Sequence, residues 1–465
     1  KITTAYNHVG QIVGNNGNGL VYALGNGNAL SENGAGWSLI RYNGTDRSGS
    51  DIGNWGAVVR FGTNLTEAND SANDGALTFD QKAHTVTVNN GTGENISSAN
   101  AFAAYVLAFD LSSAYTNDAN SALQFKYKMN TESKQSVTLN GDIDLTGTGI
   151  LGIGKDSTEK YEKAQTFTGT FNGGSHTITL DIGSIYGNGI SKENSTPNAA
   201  GQLYAKRSDQ RDAHYSLALI PFAGDVTIQN LTIAGTVACR VPQNVNEEEK
   251  SDDIRYPAFV SAAIGLAGGT TAFKNVTVNT KVSVAEEAVS AKKLHVWQAG
   301  FLGRCESKAL TFQNCTWGSE STLTDERTTE NQRIGGLAAE VMGGCEVSVD
   351  ACTLSGSITS KSTSNAKVGG LIAVSRGETQ KDNSNSYTSV DTTIKISNLQ
   401  VNEEKINTNG ADKTSGGLLG YQWKNTNVVF AASVDNTTAS ESGVTIFGAT
   451  LNANAQFGGL VYQAT

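Results

Sequence analysis

A small-residue apolar phrase returns along the chain, and no other feature restricts the fold as much. It reads Ala-Gly-Phe-Leu-Gly at 299–303, Ile-Gly-Gly-Leu-Ala at 334–338 and Val-Gly-Gly-Leu-Ile at 368–372. It comes back as Ser-Gly-Gly-Leu-Leu at 415–419 and Phe-Gly-Gly-Leu-Val at 457–461, with weaker copies at 217–221 and 261–265. Successive copies lie roughly 34 to 47 residues apart, the spacing of a solenoid whose units bury their apolar faces only against their neighbours.

Each phrase is followed by an alternating segment with its own signature. Examples are Val-Thr-Ile-Gln-Asn-Leu-Thr-Ile (226–233), Thr-Ala-Phe-Lys-Asn-Val-Thr-Val (271–278) and Leu-Thr-Phe-Gln-Asn-Cys-Thr-Trp (310–317). Val-Ser-Val-Asp-Ala-Cys-Thr-Leu (347–354) and Ile-Lys-Ile-Ser-Asn-Leu-Gln-Val (394–401) continue the series, and 444–451 reads as a degenerate last copy in the same register. Alternation sends every second side chain to one face. A third short strand follows, as at 235–238, 321–324 and 356–359. Three strands per period, with a bend between each, describe one coil. The pattern predicts an all-β chain, a right-handed parallel β-helix with loop insertions.

Stacking such coils aligns equivalent residues. The interior column is expected to run Leu231, Val276, Cys315, Cys352, Leu399 and Ala449. That position treats Cys315 and Cys352 as small buried hydrophobes, although stacking would also permit a disulfide between them. One residue earlier stands the column Asn230, Asn275, Asn314, Ala351, Asn398 and Gly448. Asn tolerates left-handed backbone at a bend and can pair its amide with the next coil, so a structural ladder is expected there.

Composition agrees. Gly is high at 52 residues and Pro low at 4, which suits short strands joined by tight turns, and no window reads as a long amphipathic helix. The net charge of −10 argues against nucleic acid as a partner, because a groove for it needs a basic face. No 18-residue apolar run is present, so no membrane span is expected. The chain starts at Lys1, which suggests that a natural N-terminus has been removed. Five Cys occur with no Cys-x-x-Cys pair. The histidines are scattered, so neither a metal nor any other cofactor is expected. Asn-x-Ser/Thr tripeptides recur, as at Asn43 and Asn64, at the frequency expected of an Asn- and Thr-rich chain.

One stretch goes beyond the general pattern: Val-Thr-Leu-Asn-Gly-Asp-Ile-Asp-Leu-Thr-Gly (137–147), then Phe-Thr-Gly-Thr-Phe-Asn-Gly-Gly-Ser-His-Thr-Ile-Thr-Leu (167–180). With the Gly-Gly-Leu phrases after it, this resembles the GLUG-type β-helix repeats of bacterial surface and adhesin-like proteins. Asn172 departs from that pattern, standing where an Asp is common. The resemblance implies an extracellular or cell-wall-associated setting in a bacterium. It also implies a structural or adhesive role, with a host or neighbouring-cell glycan or protein as partner.

Two regions follow: 1–135, β-rich, and 136–465, the repeats. Strand-like alternation at 56–61, 76–88, 104–111 and 122–128 fits further coils better than a small β-sandwich. Leu-Val-Tyr occurs at both 20–22 and 460–462, which suggests end-to-end units of one longer polypeptide as further partners.

Paired carboxylates for glycoside cleavage could come from Asp142, Asp144 and Asp181, which would make the chain a β-helix polysaccharide lyase or glycoside hydrolase. Asp142 and Asp144 share a strand face, where solvated or turn-bonding roles are expected instead, and no Gly-x-Ser-x-Gly elbow is present. The acidic run 246–253 lacks the alternating ligand spacing of a calcium loop. No catalytic centre is therefore expected. Insertions at 184–215, 240–257, 283–297 and 376–392 interrupt the rhythm and carry Tyr186, Tyr204, Tyr215, Tyr256, Trp297 and Tyr387. Such aromatics could form a binding platform, or fold down onto the flank.

Overall fold

A computed structural model describes short strands between 20 and 88, residues 96–106 in part, 124–127, and most of 135–146, 152–153, 166–182, 215–241, 257–286, 295–378 and 388–431. It also describes 444–453, 457–458 and 461–464. The described residues are almost entirely β. Strands from 135 to 464 form one large parallel sheet wound nearly into a barrel, flanked by a second sheet of seven strands.

Parallel pairing follows chain order, so each circuit lies on the one before. We call these circuits tiers, opening at Tyr215, Pro257, His295, Gln332, Ser364 and Asp412. A single interior column shows the stacking. Val137 pairs with Phe171, then Ile228, Phe273, Phe312, Val349, Ile396 and Phe430 follow rung by rung. Neighbouring strands in a sheet lie about 4.8 Å apart, so equivalent rings come into contact. Phe273 and Phe312 stack with centroids 5.1 Å apart, and Phe301 meets both edge-on.

The second column behaves similarly. Leu231 pairs with Val276. Cys315 lies between the pairs Lys274–Gln313 and Thr277–Thr316, which places it beside Val276. Cys352 follows, its neighbour Thr353 donating to the Cys315 carbonyl, and the Cys352 carbonyl accepts from Gln400, next to Leu399. Both thiols are buried and free, each donating to backbone carbonyls.

The top of this column departs from the expectation. Leu399 pairs with Val444, and Ala449 lies opposite Glu404. Gly448 likewise pairs with Asn402 rather than following Asn398. The strand that continues Ile394 and Ile396 is Thr426–Phe430. That strand lacks the Asn-containing signature, which 444–451 resembles more closely although it belongs to the next side of the tier.

Asparagines make the bends. Asn230, Asn275, Asn314 and Asn398 have φ between 51° and 54°, and Ala351 shares that geometry at 52°. Left-handed backbone costs an ordinary residue roughly 1–2 kcal/mol and Asn less, because its amide can bond locally. Here the amides also bond between tiers. Asn275 donates to the Asn230 side chain at 2.9 Å, and Asn314 to that of Asn275 at 2.7 Å. Asn172 starts the ladder, accepting from Asn230 at 3.2 Å. Ala351 interrupts it, and Asp350 takes over by accepting from Asn398 at 2.9 Å.

The glycine phrase has a steric cause. Gly336 donates to the Gly369 carbonyl of the next tier and Gly370 to that of Gly417. A Cβ on Gly336 would overlap the carbonyl oxygen of Gly370 above it. Backbones crowd at this corner because the chain reverses there over two residues.

At the lower end, residues 99, 101, 102, 105 and 106 are helical, where alternation at 104–111 suggests a strand. Ser98 caps the turn, its hydroxyl accepting from the Ala101 amide at 3.1 Å. Ala101, Phe102, Tyr105 and Val106 are buried in the main core. They cover apolar side chains that the first strands would otherwise expose, one remedy for an open end. Before this, Leu20–Ala23 pairs antiparallel with Trp37–Arg41, which pairs antiparallel with Val58–Phe61. Leu77–Asp80 and Gln124–Tyr127 flank Thr85–Val88.

Candidate functional site: a charged aromatic cleft beside the core

The corner that the glycines permit creates a second interior. In the pair Gln332–Gly335 and Ala338–Val341, Ile334, Leu337, Ala338 and Val341 enter the main core. Arg333 and Glu340 turn the other way and meet each other. The same happens in each tier, so two facing columns form. One wall carries Phe259, Trp297, Arg333 and Lys367 in register. The other carries Phe222, Leu266, Arg304, Glu340, Val374 and Tyr421. This buried cleft between the two walls is filled by their own side chains and is apolar at its lower end, where Phe222, Phe259, Leu266 and Trp297 pack as a cluster separate from the core. It becomes charged from the third tier upward.

Glu340 is the centre, 0% exposed. Its carboxylate pairs with Arg333, accepts from Arg376 at 2.5 Å and from the Trp297 indole, and lies 3.9 Å from Arg304. Burial alone would raise its pKa. The guanidiniums of Arg333, Arg376 and Arg304 outweigh that and hold it well below the usual carboxylate range. Burial brings Arg333 down to about 10; Glu340 opposes the shift, while Arg376 and Arg304 add to it. Arg333 also lies over the Trp297 ring at 4.6 Å, and Arg304 binds Glu306 at 2.8 Å.

The upper end combines cations and rings. Lys367 sits 5.4 Å from the Tyr421 ring and Arg376 4.7 Å from that of Trp423. The two rings meet at 5.4 Å, tilted by 68°. Lys367, Arg376, Tyr421 and Trp423 are all partly accessible, unlike Glu340. Burial, then Arg333 and Arg376, bring the Lys367 ammonium down to about 8 against the pull of Glu340.

The residues singled out in the sequence fall elsewhere, with one exception. Trp297 belongs to the strand His295–Ala299 at 4% exposure, not to a displayed loop, and forms part of the cleft. Tyr215 opens the strand Tyr215–Leu217 and pairs with Ala258. Tyr186, Tyr204, Tyr256 and Tyr387 lie outside the described residues, as does the acidic run 246–253. Asp142 accepts from the Thr177 amide at 2.8 Å and lies 3.5 Å from His176. Asp144 closes a turn, accepting from the Thr146 amide at 2.9 Å. Both serve the backbone of the first circuit. Among the described residues no group of His, Cys, Asp and Glu could hold a metal, and no helix is long and apolar enough to cross a membrane.

Sequence reading missed Arg304, Arg333, Glu340, Lys367 and Arg376. A signal existed. Arg333 and Lys367 each stand two residues before a Gly-Gly pair, and Arg304 and Glu340 follow the same phrase. These short strands are buried on both faces, so the polar–apolar alternation that marks an exposed face is absent.

Comparison with protein-family models, with curated proteins and with solved structures returns no match.

Proposed function

We propose that the stacked tiers are a right-handed parallel β-helix of the GLUG-like kind. On this reading the chain is a non-catalytic structural and adhesive module of a bacterial surface or secreted protein. The observation that carries it is the register of one inward column from Val137 to Phe430, which makes a stiff support whose corners can display loops. Right-handedness rests on a general rule, since parallel crossover connections are right-handed in about 98% of cases. The backbone roles of Asp142 and Asp144 favour a scaffold over a hydrolase or lyase, which needs two carboxylates flanking one bond.

The test is a panel of bacterial and host polysaccharides incubated with the full chain, read for both retention and cleavage. Retention with no time-dependent release of reducing ends or unsaturated uronates is expected. Steady product formation would overturn the scaffold reading in favour of a carbohydrate-active enzyme.

A further inference from the structure

We propose that Cys305 and Cys345 form a disulfide that staples the third tier to the fourth when the chain folds in an oxidising compartment. This goes beyond the scaffold reading, and no outcome of the polysaccharide test bears on it.

The five cysteines are not equivalent. Cys239 stands apart on the strand Ile220–Val241, beside Val284. The other four are buried in two adjoining tiers, Cys305 and Cys315 in the third, Cys345 and Cys352 in the fourth. Two pairings between those tiers are therefore open, and backbone geometry separates them.

Cys315 and Cys352 are in-register neighbours on parallel strands, between the pairs Gln313–Asp350 and Thr316–Thr353. Such neighbours lie about 4.8 Å apart with their side chains parallel. A disulfide needs its Cβ atoms closer, at about 3.5–4.5 Å, and its two Cα–Cβ bonds converging. Each of these thiols donates instead to backbone carbonyls, Cys315 to Phe273 and Gln313, Cys352 to Phe312 and Asp350.

Cys305 and Cys345 meet across a corner. Cys305 ends the strand Leu302–Cys305, following Ala223 and Ala267 in its column, with Val341 next. Cys345 comes after the turn at Gly343 and Gly344, where Gly344 takes φ 83°, and stands just before the strand Glu346–Asp350. Glu346 donates to the Lys308 carbonyl, so Cys345 lies over the turn that follows Cys305 and not over Cys305 itself. The two side chains thus approach from different sides of the corner, and their sulfurs are 3.7 Å apart. Closing to the bonded length of about 2.05 Å takes about 1.7 Å more, shared between two side chains.

The chemistry is thiol–disulfide exchange. One thiolate of the pair displaces a thiolate from a small disulfide such as oxidised glutathione, leaving a mixed disulfide. The second thiol gives up its proton and attacks the protein sulfur of that bond, expelling the other small thiolate. Two protein thiols are oxidised, one small disulfide is reduced to two thiols, and the two protons end on those thiols. Cys305 and Cys345 are both 0% exposed, so exchange takes place before the fourth tier closes over the third. The bond joins residues 40 apart in sequence and encloses Arg333 and Glu340, tying down the strands that carry them.

The experiment produces the full chain twice in one bacterial host, in the reducing cytosol and exported to the oxidising periplasm. Each sample is alkylated in denaturant, so that intact mass counts the free thiols and peptide mapping locates any bond. Five free thiols are expected from the cytosol and three from the periplasm, with one linked peptide pair joining Cys305 to Cys345. Cys345→Ser should keep its four thiols in both compartments, whereas Cys315→Ser should fall from four to two. The periplasmic form should unfold at a urea midpoint higher by about 0.5 M or more. Cys345→Ser should abolish that gap. Five free thiols in the folded periplasmic chain, a bond joining any other pair, a small thiol left on Cys305 or Cys345 without a link, or equal urea midpoints would each overturn the staple. Mapping of the parent chain decides the pairing even where a serine variant does not fold.

Discussion

Glu340 and Glu404 are both buried glutamates, 0% and 1% exposed, yet they sit in opposite electrostatic worlds. Glu340 lies in the cleft among three guanidiniums and an indole, and stays ionised. Glu404 lies in the fifth tier beneath the glycine corner, close against Gly370, and its Oε1 has no hydrogen-bond partner. Burial pushes its pKa up to about 8, so its protonated form predominates at neutral pH. The same residue type is thus a charged hub in one compartment and an uncharged filler in the other. Depth does not separate them; partners do.

The widest gap between the two compartments should appear on removing the hub. Glu340→Gln removes the buried carboxylate that Arg333 and Arg376 bond and that Arg304, itself paired with Glu306, approaches at 3.9 Å, and should cost about 3–5 kcal/mol in urea unfolding at neutral pH. A loss below about 1 kcal/mol would mean that water screens the cleft well enough to make it an ordinary surface.

Glu404 should respond to pH with a definite sign. Its folded pKa of about 8 lies above the ordinary 4.5, so between those values the folded state holds a proton that the unfolded state has lost. Its contribution is fully present below pH 4.5, is lost as pH rises to 8, and is constant beyond. The slope is roughly 1.4 kcal/mol per pH unit within that window. Glu404→Gln should flatten that part of the stability–pH profile, measured by urea melts in matched buffers. An unchanged slope would show that Glu404 is ionised and partnered like Glu340.

A smaller effect tests the asparagine ladder on the outside of the main sheet. Asn275→Ala removes two inter-tier amide bonds and the left-handed preference at φ 54°, and should cost about 1–2 kcal/mol. Asn275→Gly keeps the backbone freedom and should cost less. Equal losses in thermal or urea melts would assign the whole effect to the ladder bonds.

Smallest of all is the outer surface. Lys361 and Glu326 lie 3.6 Å apart and about half exposed, and Lys361→Ala should change stability by no more than about 0.5 kcal/mol. A larger change would show that charge pairs here owe their strength to something other than burial.

Tier spacing, the inward column from Leu231 to Leu399 and the left-handed asparagines can all be read along the chain. These follow from a period of two and a fixed repeat, which any parallel stacking turns into vertical neighbours. The register of the last tier was not legible, because Thr426–Phe430 carries no signature and a better-looking copy stands at 444–451. Nor was the helical backbone at 99, 101, 102, 105 and 106, whose few apolar residues suit a strand as well as a helix.

The buried cleft arises only once the chain has folded. Trp297, Arg333, Glu340 and Arg376 come from three tiers, and nothing along the chain says that their strands fold toward one another across a glycine bend. Stacking is a one-dimensional property that a repeat can encode. The angle at a corner is not, since it depends on how closely Gly336 and Gly370 let the backbones approach. That angle sets which charges meet, and so which glutamate keeps its proton.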